Sequence, residues 1–298
     1  MIAVVGSAGC LVCATKRNTP VALAELERKL RLENMFKREI RSIFRRMVAD
    51  FRVSVAATGR APSGAKYHAQ WRTALEVQYE RVHKAFKGEV VAQNGRKSLQ
   101  FWLGKQALDD ANELEDLALL RWRDDMSERQ ARIIMETNDA EMQLAIDRAR
   151  EALQADGEIL SARNIAAAAM AILAVRFVGR TNTIAQTETQ AAAEVTKQIE
   201  AEIIAGVVPF VLRGFEPGVP VFVDDVTPQA QREITKTWDT VGDNRVRPSH
   251  VAADGNTVGV DDIFTLNTGS QLRFAGDMSL GADIADLINC RCSTRYEG

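Results

Sequence analysis

A chain of 298 residues with 46% apolar and 26% charged residues fits a soluble globular protein of one large or two ordinary domains, able to bury a sizeable core. Its four cysteines fall as Cys10-x-x-Cys13 and Cys290-x-Cys292, which is not a secreted disulfide scaffold, and no apolar stretch approaches the roughly 18 residues of a membrane span. The net charge of −2 conceals an asymmetry: residues 16–60 carry twelve Lys/Arg against five Asp/Glu, and residues 109–158 fifteen Asp/Glu against six Lys/Arg. Opposite patches on one chain point to ordered assembly or a nucleic-acid contact, although two solvated helix faces give the same pattern.

In chain order, residues 1–20 read as an N-terminal arm. Met1 to Cys13 is apolar, but it lacks the leading basic region of a secretion signal, and Lys16-Arg17 follow rather than precede it. Cys10-x-x-Cys13 has the spacing of half a zinc knuckle without a second pair nearby.

A helical domain is expected over 21–158. From Leu23 the apolar positions Leu26, Leu30, Phe36, Ile40, Ile43, Phe44, Met47 and Phe51 recur mostly every three or four residues, an amphipathic helix that Gly59, Pro62 and Gly64 interrupt. Its other face carries Arg28, Lys29, Arg31, Lys37, Arg38, Arg41, Arg45 and Arg46, the best candidate contact for DNA phosphates or a protein partner. The few aromatics lie on the apolar stripe, which argues against base stacking. A second helix is expected over Ala65–Gln93, with a turn at Asn94-Gly95. Further helices are expected over Leu99–Leu120, from Ser127 (a capping-box pattern with Gln130) to Ala155, and over Ser161–Phe177. Thr183 with Gln186 again reads as a capping box and opens a helix with Ile184, Ala191, Val195, Ile199 and Ile203 on one face, ending at Gly206.

After Gly206 the texture changes. Val207–Leu212 and Val219–Val223 flank Glu216-Pro217-Gly218 as a strand–turn–strand, and Thr227-Pro228 is expected to open a helix containing Ile234 and Trp238. Short strands over Val258–Val260 and Gln271–Phe274 and a short helix near Ala282–Leu287 complete the reading. The expected fold class is therefore α+β: a mainly helical N-terminal half followed by a compact α+β domain over 159–298 with a small antiparallel sheet.

The C-terminal domain holds an ordered series in which the rarer Trp, His and Cys stand among clustered Arg: Trp238, Asp243, Arg245, Arg247, His250, Asp254-Gly255, Phe264, Gly276-Asp277 and Asn289-Cys290-Arg291-Cys292. A His oriented by an Asp can act as general base and an Arg can hold a phosphate, so a small nuclease or nucleotide-modifying enzyme centred on His250 is one reading. The other is a buried polar network that pins a loop, with Asp254-Gly255 as its turn and Trp238 as its apolar floor. No nucleophile or metal triad and no Gly-rich phosphate loop accompanies the cluster, so the network reading is preferred, with no catalytic residue and no cofactor. His250 and Asp254 are the residues that can complete a metal site with Cys290 and Cys292. The one-residue spacing is tighter than usual for zinc, so no metal is assigned and the thiols are expected to pack in the core.

The series resembles the C-terminal half of the Mu F-like minor head proteins of tailed bacteriophages, the phage head morphogenesis family. There a Trp leads into Asp-x-Arg-x-Arg, followed by His, an Asp-Gly turn, a Phe, a Gly-Asp pair and a terminal Asn-Cys-Arg-Cys. The Thr183–Thr189 segment resembles the family's Thr-Glu helix, and together the likeness spans roughly the last 115 residues. The chain departs from the pattern at Ala275, where the family usually has Pro. The resemblance implies a non-enzymatic structural head protein that binds the portal protein and other head proteins, with phage DNA as a further partner of the basic helix and no membrane. It implies a place in the virion, inside the head near the portal vertex, after synthesis in the bacterial host cytoplasm. Some relatives carry a toxin domain after the Asn-Cys-Arg-Cys, and the six residues Ser293–Gly298 are expected to leave no room for one.

Overall fold

The structure, a computed structural model, describes residues 20–94, 96–213 and 233–298. The expected arm, Cys10 and Cys13, Gly95, the second strand of the Val207–Val223 hairpin and Thr227-Pro228 lie outside the described residues. The fold is α+β, with a helical N-terminal half and strands in the C-terminal part. The helices are α1 (Pro20–Thr58), α2 (His68–Phe86), α3 (Glu89–Asn94), α4 (Arg96–Ala155) and α5 (Ala162–Ile204). Then come β1 (Thr235–Asp239), α6 (Pro248–Ala253), β2 (Thr257–Gly259), β3 (Phe264–Thr265), β4 (Gln271–Leu272), α7 (Ile284–Leu287) and β5 (Ser293–Glu297).

Several expectations change: the single helix expected over Ala65–Gln93 is divided into α2 and α3, with Gly88 at φ 83° between them. α4 and α5 are each continuous, so Ser127 and Thr183 do not start helices. Ser127 is buried inside α4 and its hydroxyl donates to the Asp124 carbonyl, while Thr181 donates to the Phe177 carbonyl. Such back-bonding within a helix gives hydroxyl residues a role other than capping. Val207–Leu212 is not a strand: Gly206 takes φ 74° to end α5, and the Phe210 amide donates to Glu202 Oε2 at 2.9 Å. Trp238 lies on a strand rather than a helix, because the β-branched Thr235 and Thr237 suit β1, which is hydrogen-bonded on both sides. Finally, α5 is long and apolar enough over an 18-residue window to cross a membrane by length and composition, contrary to the expectation that no stretch approaches that length. The core helix of a protein in water passes the same test; here Ala166, Ala169, Leu173 and Phe177 are buried while Val175 and Val178 are exposed.

The chain forms two compact units. One comprises Leu32–Arg81 and Trp122–Glu188; the other comprises the residues up to Arg31, Val82–Arg121 and Thr189–Gly298. The boundaries fall inside α1, α2, α4 and α5, so no composition break marks them.

The all-helical unit has one aromatic core. Phe44 of α1 stacks on Phe177 of α5 at 4.2 Å and meets Trp71 of α2 edge-on at 5.2 Å, and Tyr79 of α2 packs on Trp122 of α4 at 4.8 Å. Gly64 lets the α1–α2 connection touch α4: its amide donates to Asp139, and a Cβ there would sit 2.4 Å from Asp139 Oδ1.

Buried Glu188 accepts from the Tyr79 hydroxyl at 2.5 Å, and burial pushes its carboxyl up to about 7. The folded unit thus keeps a proton that the unfolded chain releases above about 4.5, so this group's stabilising contribution is complete below that value and is lost as pH rises through about 7. The loss is on the order of 3 kcal/mol. Glu188→Gln keeps an acceptor for Tyr79 and removes the titration. Thermal melts at pH 5 and pH 8 should show a smaller difference for the variant than for the wild type, and equal differences would contradict this.

In the other unit β1 is central, antiparallel to β2 and to β5, with Trp238 opposite Thr294 in the β5 register. β3 and β4 form a separate two-stranded ladder. One core gathers Trp238, Ala253, Phe264, Leu266, Leu272, Leu287, Cys290 and Cys292, and a second gathers Val90, Ala201, Ile234, Val260 and Tyr296.

Candidate functional site

The residues of the C-terminal series come from β1, the β1–α6 connection, α6 and the turn after it, β3, the β4–α7 connection and the approach to β5, and His250, Phe264, Cys290 and Cys292 pack with Trp238. Trp238 is fully buried, with its ring edge-on to His250 at 5.3 Å and to Phe264 at 5.4 Å. Its carbonyl accepts the Gly255 amide at 2.8 Å and its amide donates to the Asn256 carbonyl at 2.9 Å, so the Asp254-Gly255 turn is tied to β1. Gly255 takes φ 80°, which glycine adopts without strain. The Asp254 carboxylate accepts the Thr240 amide at 2.9 Å.

Asp254 therefore shapes the turn, and a different carboxylate faces the imidazole. His250 Nε2 lies 3.7 Å from Asp286 Oδ1, and Asp286 accepts from the hydroxyls of Ser249, Thr268 and Ser270 at 2.7–2.9 Å. Burial works against the Asp286 charge, but the three hydroxyls and His250 outweigh it and hold the carboxyl below its ordinary value. Across the ring, His250 Nδ1 is 3.3 Å from Cys292 Sγ and 3.6 Å from Cys290 Sγ. Both thiols are free and buried. Their mutual hydrogen bond draws the Cys290 thiol down from its ordinary value and pushes Cys292 up.

The arginines act as ties. Arg247 precedes Pro248 at the start of α6 and donates to the Ile288 carbonyl. Arg291 donates to Asp243 at 2.8 Å, and Asp243 also accepts the Arg245 amide at 3.0 Å. Burial opposes the Asp243 charge, yet the Arg291 bond, the Arg245 amide and both guanidinium charges keep its carboxyl below the usual range. Asn289 takes φ 56°, a left-handed conformation that Asn tolerates better than most side chains, and it turns the chain from α7 into Cys290. Gly276 has φ 86°, and Asp277 accepts the Arg273 and Ser279 amides. At the position where the related pattern has Pro, the Ala275 amide donates to Thr294 Oγ1 at 3.1 Å, a bond proline cannot make.

Space around the imidazole is small. His250 is 1% exposed, and the cavity it lines with Val241, Arg245, Arg247, Asn289 and Cys292 holds about 10 Å³, roughly one water. The donor atoms of His250, Cys290 and Cys292 all lie within 4.8 Å of one another, so these three residues can hold a metal ion.

Beneath the site runs a polar stretch of α5 whose role the sequence did not reveal. Gln190 donates to the Cys292 carbonyl, Glu194 accepts the Thr294 amide at 2.9 Å, and Lys197 donates to the Thr294 carbonyl at 3.2 Å. Glu194 and Glu25 alternate with Lys29 and Lys197 in a buried four-charge cluster, with contacts of 2.8–3.1 Å. Burial opposes ionisation of Glu25, but the two lysines prevail and depress its carboxyl. Farther along, Glu200 accepts the Val90 and Val91 amides at the start of α3. These residues read as one polar face, and only tertiary contacts reveal that every side of the helix is covered.

The basic series on α1 divides. Lys29 is buried in the four-charge cluster, and Arg28 is half-buried against the Ala85 carbonyl and Glu89, so neither is placed for a phosphate. Lys37 is half-buried beside Glu33. Arg31, Arg38, Arg41, Arg45 and Arg46 are exposed. No family model, curated protein or solved structure matches the chain.

Proposed function

We propose that this chain is a non-enzymatic minor head protein of a tailed bacteriophage, bound to the portal protein and its neighbours inside the head, where it assists head assembly, DNA packaging or DNA delivery. One observation carries the reading: in the fourteen-residue series that resembles the Mu F-like proteins, His250, Phe264, Cys290 and Cys292 pack with Trp238, and the other members serve as ties and turns rather than as a cleft. Asp243, Arg247 and Arg291 hold backbone and one another, Gly255, Gly276 and Asn289 supply backbone conformations, and His250 is enclosed. A nuclease centred on His250 needs a phosphodiester within hydrogen-bond reach of the imidazole, and a cavity of about 10 Å³ does not admit one.

The exposed arginines of α1 supply the second contact. Arg38 and Arg45 lie seven residues apart with Arg41 between them, so they share a helix face and neutralise phosphates without reading bases. Weak DNA retention should fall steeply with salt. Replacing Arg38, Arg41, Arg45 and Arg46 with Gln should flatten the log–log salt slope by roughly 0.9 for each phosphate that is no longer neutralised.

The reading is tested by co-expressing the chain with the portal protein of the same replicon. Co-purification with the portal, together with no nuclease activity above that of a His250→Ala control, is the expected result. Nuclease turnover that His250→Ala abolishes while the circular dichroism spectrum stays unchanged would replace this reading with the enzymatic one. Absence of portal co-purification would remove the portal as partner.

A further inference from the structure

We propose that His250, Cys290 and Cys292 bind one thiophilic divalent ion of the zinc class, as a structural clasp that locks the approach to β5 onto α6. The proposal rests on the donor set and its geometry and stands independently of the head-protein reading. An ion with bonds of about 2.3 Å to sulfur and about 2.0–2.1 Å to nitrogen, arranged tetrahedrally, sets sulfur–nitrogen separations near 3.6 Å. The two separations here are 3.3 and 3.6 Å. The donors are already gathered before any ion is considered, so binding needs little rearrangement.

The surroundings fit as well. Coordination through Nδ1 leaves the proton on Nε2, and Nε2 faces Asp286 at 3.7 Å, the carboxylate–histidine–metal relation that fixes ring orientation. Among the described residues this buried nitrogen has no hydrogen-bond partner, so Asp286 is the group its proton would meet. Asp286 is itself fixed by three hydroxyls. Two thiolates neutralise a divalent cation, and the nearby Arg291 and Arg245 are both directed onto Asp243. The water-sized cavity beside the donors gives a fourth ligand its place. Sulfur and imidazole select zinc, cobalt or cadmium over magnesium and calcium, which prefer all-oxygen sites.

The test uses the full chain, kept reduced with a phosphine, stripped with chelator and titrated with Co²⁺. The expected result is one equivalent bound, with a thiolate-to-cobalt charge-transfer band and the intense visible bands of tetrahedral cobalt, displaced by zinc. Cys10-x-x-Cys13 is a second thiol pair in the sequence, so the deciding comparison uses Cys10→Ser/Cys13→Ser, which leaves Cys290 and Cys292 as the remaining thiols. That variant must give the same spectrum, and zinc must raise its melting temperature. Cys290→Ser/Cys292→Ser should lose the bands; if it fails to fold, the first variant still decides. No charge-transfer band in the reduced protein, or a band that disappears with Cys10 and Cys13, overturns the proposal.

Discussion

Trp238→Ala should lower the unfolding free energy by about 3–5 kcal/mol, the range for removing a large aromatic from a core that relaxes incompletely. The indole is fully buried and touches both His250 and Phe264, and its strand is bonded to β2 and β5. Its loss would leave a cavity under the residues that tie α6 to the chain end. Val175→Ala on α5 makes a control, because that side chain is 76% exposed and should change stability by less than about 0.5 kcal/mol. Urea unfolding followed by tryptophan-independent far-ultraviolet dichroism measures both. A Trp238→Ala loss below about 1 kcal/mol would mean that the indole is not the floor of this core.

Glu194→Ala should be equally damaging, by about 3–5 kcal/mol, because it strands buried cations. Glu194 is fully buried; it contacts Lys29 and Lys197 at 2.9 Å and accepts the amide of Thr294, the second residue of β5. Removing it leaves two lysines sharing Glu25. Replacing Glu194 and Lys197 together with Met leaves the Lys29–Glu25 pair balanced at 2.8 Å. The double variant should therefore be more stable than Glu194→Ala, with a coupling of at least about 1 kcal/mol in the cycle completed by each single Met variant. Additive losses would show that the four charges do not act as a unit.

The parts of this protein legible in its sequence are those governed by local rules. The three- and four-residue spacing of Phe36, Ile40, Phe44, Met47 and Phe51 on α1 is a property of one helix, and all five are buried. Turn chemistry at Asp254-Gly255 and the short strands at 257–259 and 271–272 were visible for the same reason. What was hidden depends on partners far along the chain. Ser127 and Thr183 look like caps until the helix is seen to continue through them. Lys29 looks like a phosphate ligand until Glu194, 165 residues away, takes its charge. Asp286 does not stand out among the acidic residues, yet it faces His250, whereas Asp254, nearer in sequence, does not. The same holds on α5: Gln190, Glu194, Lys197 and Gln198 share a polar face that reads as solvated, yet all four are buried under partners from distant parts of the chain.

A reconstruction of the intact particle produced by the encoding replicon would locate this chain. Density for this chain is expected at low copy inside the head, at the portal vertex, with the Trp238–His250–Cys292 core enclosed and the α1 arginines turned toward portal or DNA. Particles that assemble and package DNA with the chain absent from the head, and unchanged when its gene is deleted, would contradict that expectation.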